Sequence, residues 1–133
     1  MVLDTSVLIA ILSAEADARM YVEAIAAAPK RLLSAATLLE TAIVIESRYG
    51  LNGGQKLDEF IHTAQIEVES VTVEQAISAR LAYRTYGKGR HPAALNYGDC
   101  FSYALAKVGN QPLLFKGDDF TKIDIEPVPL PGA

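Results

Sequence analysis

The chain opens with a short apolar run that ends in an acid, Met-Val-Leu-Asp-Thr-Ser, and no charged residue adjoins Asp4 to pair with it. Such a run is typical of a short buried strand, so residues 2–4 are predicted as the first strand. A helix is predicted directly after it, over residues 5–12. We therefore expect Asp4 at the carboxyl end of a strand, at the point where a helix begins.

Strands and helices alternate along the rest of the chain. Further strands are predicted at residues 31–34, 66–70 and 113–115, with a weak last strand at 123–128. Further helices are predicted at residues 14–28, 35–49, 55–65, 73–86 and 96–108, with a turn at 52–54. This order predicts an α/β single domain over residues 1–128, with a mainly parallel central sheet flanked by helices. The proline-spaced residues 129–133 are expected to form an extended or disordered tail.

Length and composition limit the class of protein. The 133 residues are 50% hydrophobic, which is enough for one compact domain with its own core. A single cysteine excludes an internal disulfide. The first residues do not resemble a secretion signal. Charged residues interrupt every apolar stretch that would be long enough to span a membrane. A cytoplasmic protein without a membrane segment is expected. The net charge of −4 argues against a protein that holds nucleic acid by bulk electrostatics, but it leaves a nuclease open.

A second acid, Glu40, lies within an almost wholly apolar helical stretch. At helical spacing its neighbours include Thr37 and Ile43, a surface that is expected to enter the core. A lone buried carboxylate there would cost several kcal/mol or become protonated, so Glu40 needs a partner. That partner is either Arg48 or Arg31 in a buried ion pair, or a cation shared with other carboxylates.

Two further acids stand at element junctions. Asp99 opens a helix in Asn-Tyr-Gly-Asp-Cys, and Asp118 follows the apolar run Pro-Leu-Leu-Phe, with Asp119 beside it. Each has a structural alternative, because Asn96 with Asp99 resembles a capping box and the Asp118–Asp119 pair suits the cap of a short turn. Ligands collect at the carboxyl ends of parallel strands, where four gathered acids would need bound cations. A divalent-metal site is therefore the leading hypothesis.

Four segments in the right order resemble the PIN-domain ribonucleases, specifically the VapC-type toxins of bacterial toxin–antitoxin pairs. They are Met-Val-Leu-Asp-Thr-Ser-Val-Leu, Ser-Ala-Ala-Thr-Leu-Leu-Glu, Leu-Asn-Tyr-Gly-Asp-Cys-Phe-Ser-Tyr-Ala-Leu-Ala and Pro-Leu-Leu-Phe-Lys-Gly-Asp-Asp-Phe. The resemblance implies a PIN-like fold and an acidic pocket that binds Mg²⁺ or Mn²⁺ and cleaves RNA internally. Asp4, Glu40, Asp99 and Asp118 are then the catalytic metal ligands, with Asp119 as a substitute for Asp118.

Substrate contacts are expected beside the acids. The resemblance places a small polar residue after the first acid and an Asn near the third, which correspond to Thr5 or Ser6 and to Asn96. A glycine-containing basic loop at residues 84–91 includes Arg90 and is suited to backbone phosphates, although a solvated connector is the alternative. With water as the nucleophile, the products would carry 5′-phosphate and 3′-hydroxyl ends.

The resemblance further implies a VapB-type antitoxin as partner and a homodimer. The amphipathic stretches at residues 14–28 and 35–49 are the candidate surfaces for both contacts. Two other functions remain open: a non-catalytic α/β binding module whose acids only cap helices, and a DNA-directed nuclease with the same fold. The chain lacks an obvious DNA-clamping insert, which disfavours the DNA-directed enzyme.

Overall fold

A computed structural model describes residues 1–130. The strands are β1 (Val2–Leu3), β2 (Leu32–Ser34), β3 (Glu67–Glu69) and β4 (Leu113–Leu114). The helices are α1 (Thr5–Leu12), α2 (Ala18–Ala27), α3 (Ala35–Thr63), α4 (Val73–Tyr86) and α5 (Tyr97–Gly109). The strands form one sheet in the order β3-β2-β1-β4, and every pairing is parallel. The predicted α/β fold with a parallel sheet is confirmed.

Alternate residues of the short strands face two separate cores. Leu3, Leu33 and Leu114 pack among residues of α1, α2 and α3, whereas their neighbours Val2 and Leu32 pack among residues of α4 and α5. Because successive side chains of a strand point to opposite faces, both faces of this sheet are covered by helices. The wholly apolar and buried strands β1 and β4 are the consequence, and because all pairings are parallel the carboxyl ends of the strands lie at the same side of the sheet.

Two predicted elements are shorter in the structure. The helix predicted to begin at residue 14 begins at Ala18, because Ala14 adopts a left-handed φ of 51° and a turn follows. The strand predicted at residues 123–128 is reduced to one bridge between Leu113 and Pro127. Beyond it, Val128 and Leu130 pack on the core formed with α1 to α3, and the remaining tail residues 131–133 lie outside the described part.

The turn predicted at residues 52–54 is also wrong, because these residues are helical. Gly50, with φ 70° and ψ −163°, instead kinks α3 into two segments. A Cβ on Gly53 would lie 2.9 Å from the Ile45 side chain, so a larger residue would separate the segments. Among the helices of residues 1–130, none is both long and apolar enough to cross a membrane.

Candidate active site

Asp4 lies at the end of β1, where its side chain caps α1. Its Oδ2 accepts hydrogen bonds from the Ser6 N–H at 3.1 Å and from the Ser6 hydroxyl at 2.6 Å. Its Oδ1 accepts one from the Ser102 hydroxyl at 2.8 Å. The carboxylate is only 5% exposed, and these three donors compensate much of its lost hydration. Asp4 is therefore a helix cap and also a buried acid held in one orientation.

Ser6 connects this acid to the chain after β4. Its hydroxyl oxygen accepts a hydrogen bond from the backbone N–H of Lys116 at 2.9 Å while its hydrogen goes to Asp4. The Lys116 ammonium group turns away and pairs with Glu15 and Asp17. Ser6, which was predicted to contact substrate, therefore supports Asp4 in this structure.

Glu40 approaches the same edge from the first segment of α3. Its Oε1 accepts a hydrogen bond from the Thr5 hydroxyl at 2.7 Å, and neither arginine considered from the sequence pairs with it. The Arg31 guanidinium instead donates to the carbonyls that end α2. The predicted core surface is also only partly buried, because Ile43 is 58% exposed. Glu40 escapes full desolvation since this side of α3 borders solvent.

Gly98 gives the Glu40 carboxylate its space. A Cβ on Gly98 would collide with both Glu40 oxygens, so no larger residue fits without displacing the acid. The tight contact joins the start of α5 to α3 and brings Glu40 beside the residue after Gly98, which is Asp99. The sequence showed this glycine between Tyr97 and Asp99, but only the fold reveals its role.

Asp99 is the third acid and lies in the first turn of α5. Its backbone N–H donates to Asn96 Oδ1 at 2.9 Å, and its own Oδ2 accepts from the Asn96 N–H at 3.0 Å, which completes a capping box. Burial is the largest influence on this carboxyl and raises its pKa to about 7. The Asn96 N–H opposes the rise, while Asp4, Asp119 and Glu40 add to it.

These electrostatic influences define which acids lie together. Asp4, Glu40 and Asp119 are all close enough to Asp99 to disfavour its charge. Asp118 and Asp119 are both exposed after β4, and Asp119 is among the acids that raise the pKa of Asp99, whereas the Asp118 carbonyl accepts hydrogen bonds from Thr121. The salt bridges found within residues 1–130 all involve other acids.

The donor set fits a hard divalent cation. It consists of carboxylates only; burial and, to a smaller extent, their repulsion raise the pKa of Asp99, and a bound cation would oppose both effects. In the described part of the chain, however, no three acids are gathered closely enough to share one ion. Binding of a divalent cation would therefore require acidic side chains to rotate toward a common point. Asp119 is the least constrained of these acids because it is exposed.

A buried group of hydroxyls behind the acids was missed from the sequence. Ser102 and Thr41 are fully buried and Thr37 is 1% exposed. Thr37 Oγ1 lies 3.3 Å from Ser102 Oγ, and Thr41 Oγ1 lies 3.1 Å from Thr5 Oγ1 and 2.8 Å from the Thr37 carbonyl. The group lies between Asp4 and Glu40. The only advance signal was the presence of small polar residues at otherwise apolar helix positions.

Asn96 and Arg90 are the remaining residues that were predicted to contact the substrate. The Asn96 side chain is occupied as the helix cap, and Arg90 lies in an exposed turn between α4 and α5.

His91 Nδ1 accepts a hydrogen bond from the Ala93 N–H at 3.0 Å and its ring packs edge-on against Tyr86, which gives it a structural role. Burial raises the pKa of Cys100 to about 11, so its thiol is protonated and unsuited to be a nucleophile.

The sequence matches the PIN domain family over residues 1–126. A ribonuclease VapC from Mycolicibacterium smegmatis is 59% identical over 128 residues, which cover 96% of this chain and 99% of that protein. Ribonuclease VapC30 from Mycobacterium tuberculosis is 57% identical over 131 residues, which cover 98% of this chain and 100% of that protein.

Solved structures agree with the fold. The crystal structure of Mycobacterium tuberculosis VapC20, a toxin that cleaves the sarcin–ricin loop, matches with a TM-score of 0.77 at 18% identity and covers 98% of each chain. A toxin–antitoxin complex from Klebsiella pneumoniae matches with a TM-score of 0.70 at 20% identity, covering 92% of this chain and 91% of that one. With the sequence relatives, these findings confirm the resemblance: the chain belongs to the PIN-domain family and, within it, to the VapC-type ribonucleases of toxin–antitoxin pairs.

Proposed function

We propose that this protein is a Mg²⁺- or Mn²⁺-dependent endoribonuclease that acts as the toxin of a type II toxin–antitoxin pair. The observation that carries the proposal is the buried position of the Asp99 carboxyl, whose pKa is raised first by burial and further by the charges of Asp4, Asp119 and Glu40. Such an arrangement is costly for a protein without a cation, and carboxylate oxygens are the ligands that Mg²⁺ and Mn²⁺ prefer. The relatives that are more than half identical over nearly the whole chain are named ribonucleases.

Asp4, Glu40 and Asp99 would hold the ion, with Asp119 as the fourth acid. Asp119 is preferred over Asp118 because its charge is among the influences that raise the pKa of Asp99. A bound divalent ion supplies a Lewis acid that activates water and stabilises charge on a leaving phosphate-ester oxygen. The chain would hydrolyse the phosphodiester in this way and leave 5′-phosphate and 3′-hydroxyl ends.

The protein's own residues orient the acids and the RNA. Ser6 and Ser102 hold Asp4, and Asn96 holds one oxygen of Asp99, so that each acid keeps accepting capacity toward the pocket. The exposed turn that carries Arg90 lies between α4 and the start of α5, where a cationic side chain would attract the RNA backbone. We expect Arg90 to raise RNA affinity and to leave the chemical step unchanged.

A homodimer and a VapB-type antitoxin are the proposed protein partners. The first segment of α3 exposes Leu39 at 62% and Ile43 at 58%, and Tyr97 beside them is 78% exposed. These side chains and Phe101 line an apolar groove that also reaches Glu40. Apolar side chains grouped at a surface favour a protein contact, and α3 was one of the two helices predicted to supply it. In contrast α2, the other predicted surface, exposes only Val22 among its large apolar residues.

Cleavage of RNA by the purified protein tests the enzymatic proposal. Single-stranded RNA and DNA of the same sequence are incubated with Mg²⁺ or Mn²⁺, or with a chelator, and the product ends are analysed. We expect cleavage of RNA only, dependent on metal, with 5′-phosphate ends. Asp4→Asn should lower the rate by more than the roughly 10–100-fold that loss of an outer partner of a metal site costs. Asp58→Asn, an exposed acid of α3, is the matched control.

Two outcomes would point elsewhere. Equal cleavage in the chelator, or unchanged cleavage by Asp4→Asn, would contradict a carboxylate-bound metal site. Folded protein without cleavage and without any metal-linked rise in melting temperature would favour the binding module. Cleavage of DNA at the rate of RNA would favour the DNA-directed nuclease.

A further inference from the structure

Ser102 is a polar residue in an apolar environment, three positions after Asp99 on α5. It is fully buried, and its hydroxyl donates to Asp4 Oδ1 at 2.8 Å across 98 residues of chain. The residues that follow it, Tyr103, Ala104 and Leu105, belong to the buried part of α5. A buried hydroxyl is normally hydrogen-bonded, and the partner of the Ser102 hydroxyl is an acid of the candidate active site.

The direction of the hydrogen bonds can be assigned. A serine hydroxyl has one hydrogen, and the carboxylate of Asp4 can only accept, so the Ser102 hydrogen goes to Asp4. Thr37 Oγ1, 3.3 Å from Ser102 Oγ, must then donate to Ser102. A relay therefore runs from Thr37 on α3 through Ser102 on α5 to Asp4 after β1. It links three of the elements that meet at the site.

The relay acts on one particular oxygen of Asp4. Oδ2 accepts two hydrogen bonds from Ser6, which uses both of its lone pairs. Oδ1 accepts only from Ser102 among the described residues and keeps one lone pair. Ser102 therefore contacts the oxygen that can still bind a cation, and the position of its hydroxyl decides where that lone pair points.

We propose that Ser102 is a positioning residue for the metal site, which aims Asp4 Oδ1 at the ion and is itself oriented by Thr37. This inference rests on the proposed function, since it assumes that Asp4 is a metal ligand. Outer partners of ligating carboxylates fix their orientation and tune the affinity of the site. Ser102 does not touch the substrate in this account and acts only through Asp4.

The affinity of the whole protein for Mn²⁺, measured by titration calorimetry, tests this role without any activity assay. Ser102→Ala should raise the Mn²⁺ dissociation constant by roughly 10-fold or more, the range found for lost outer partners. The matched control is Thr72→Ala, which removes the cap of α4 that accepts from the Gln75 N–H at 3.1 Å. Thr72→Ala should lower the melting temperature and leave the Mn²⁺ affinity at the wild-type value.

The outcomes separate this inference from the proposed function. If the wild-type protein binds no Mn²⁺, the proposed metal-dependent function fails. If the wild-type protein binds Mn²⁺ and Ser102→Ala binds it within about twofold of the same affinity, the role of Ser102 is refuted and the function stands. If Ser102→Ala does not fold, Thr37→Val and Thr37→Ser replace it in the test. Weaker Mn²⁺ binding by Thr37→Val than by Thr37→Ser, which keeps the hydroxyl, supports the relay. Equal Mn²⁺ binding by the two variants contradicts it.

Discussion

Replacing Asp99 with asparagine is expected to stabilise the metal-free protein and to abolish its stabilisation by divalent ions. The carboxyl is 9% exposed, and burial, with the charges of Asp4, Asp119 and Glu40, raises its pKa from 3.8 to about 7. Between about pH 4 and pH 7, the folded protein holds a proton that the unfolded chain has already released. Its stability therefore falls as the pH rises through this window and stays low above it.

The size of the effect follows from the shift. A difference of about three pH units corresponds to about 4 kcal/mol, and screening by solvent on the open side of the pocket reduces the expected cost to roughly 1–2 kcal/mol. Asp99→Asn keeps an acceptor for the Asn96 N–H but carries no charge. The free energy of unfolding of Asp99→Asn should equal that of the wild type near pH 4. At pH 8 it should exceed the wild-type value by roughly 1–2 kcal/mol.

Urea unfolding, followed by circular dichroism in a chelator at both pH values, measures this difference. Asp58→Asn, which removes an exposed acid of α3, should show no such pH-dependent gain. With Mn²⁺ at about 100 times its dissociation constant, the wild type should gain about 2.7 kcal/mol and Asp99→Asn little. If Asp99→Asn is less stable than the wild type at pH 8 in the chelator, the carboxylate serves mainly as a helix cap and the electrostatic reasoning is refuted.

Three further predictions concern the neighbouring residues. Asp119→Asn should lower the rate of RNA cleavage at least roughly 100-fold and Asp118→Asn only a few-fold; equal losses would contradict the choice of Asp119. Gly98→Ala should displace Glu40 and raise the metal concentration needed for half-maximal cleavage roughly 10-fold while the circular dichroism spectrum is unchanged. Leu39→Glu should convert a dimer into a monomer in light scattering, and a wild-type monomer at micromolar concentration would refute the proposed dimer.

Local signals predicted the elements that carry the acids. The run before Asp4 and its capping position define β1 and the start of α1, and the Asn96–Asp99 spacing defines the start of α5. These interactions span a few residues, so the sequence contains both partners side by side. Hydrophobic periodicity predicted the order of the elements, and the four short motifs in the right order added the resemblance to the PIN domain, which the family match confirms.

Other features depend on contacts between distant residues. Ser102 reaches Asp4 across 98 residues, and Gly98 reaches Glu40 from a different helix, so neither role appears in any local pattern. The continuation of α3 beyond Gly50 was missed because glycine usually ends a helix, whereas here packing of the second segment on the core restores it. The preference for Asp119 over Asp118 also needed the structure, since two adjacent acids in the sequence do not show which of them contributes to the raised pKa of Asp99.

We propose above all that acids from four parts of the chain hold one divalent-ion centre. Anomalous diffraction at the manganese absorption edge, from crystals of the full protein soaked in Mn²⁺, tests it most directly. We predict an anomalous peak within coordination distance of the carboxylates of Asp4 and Asp99, with Glu40 and Asp119 turned toward it. Crystals with no peak there, or with manganese only at surface acids such as Glu15 and Asp17, would contradict this account.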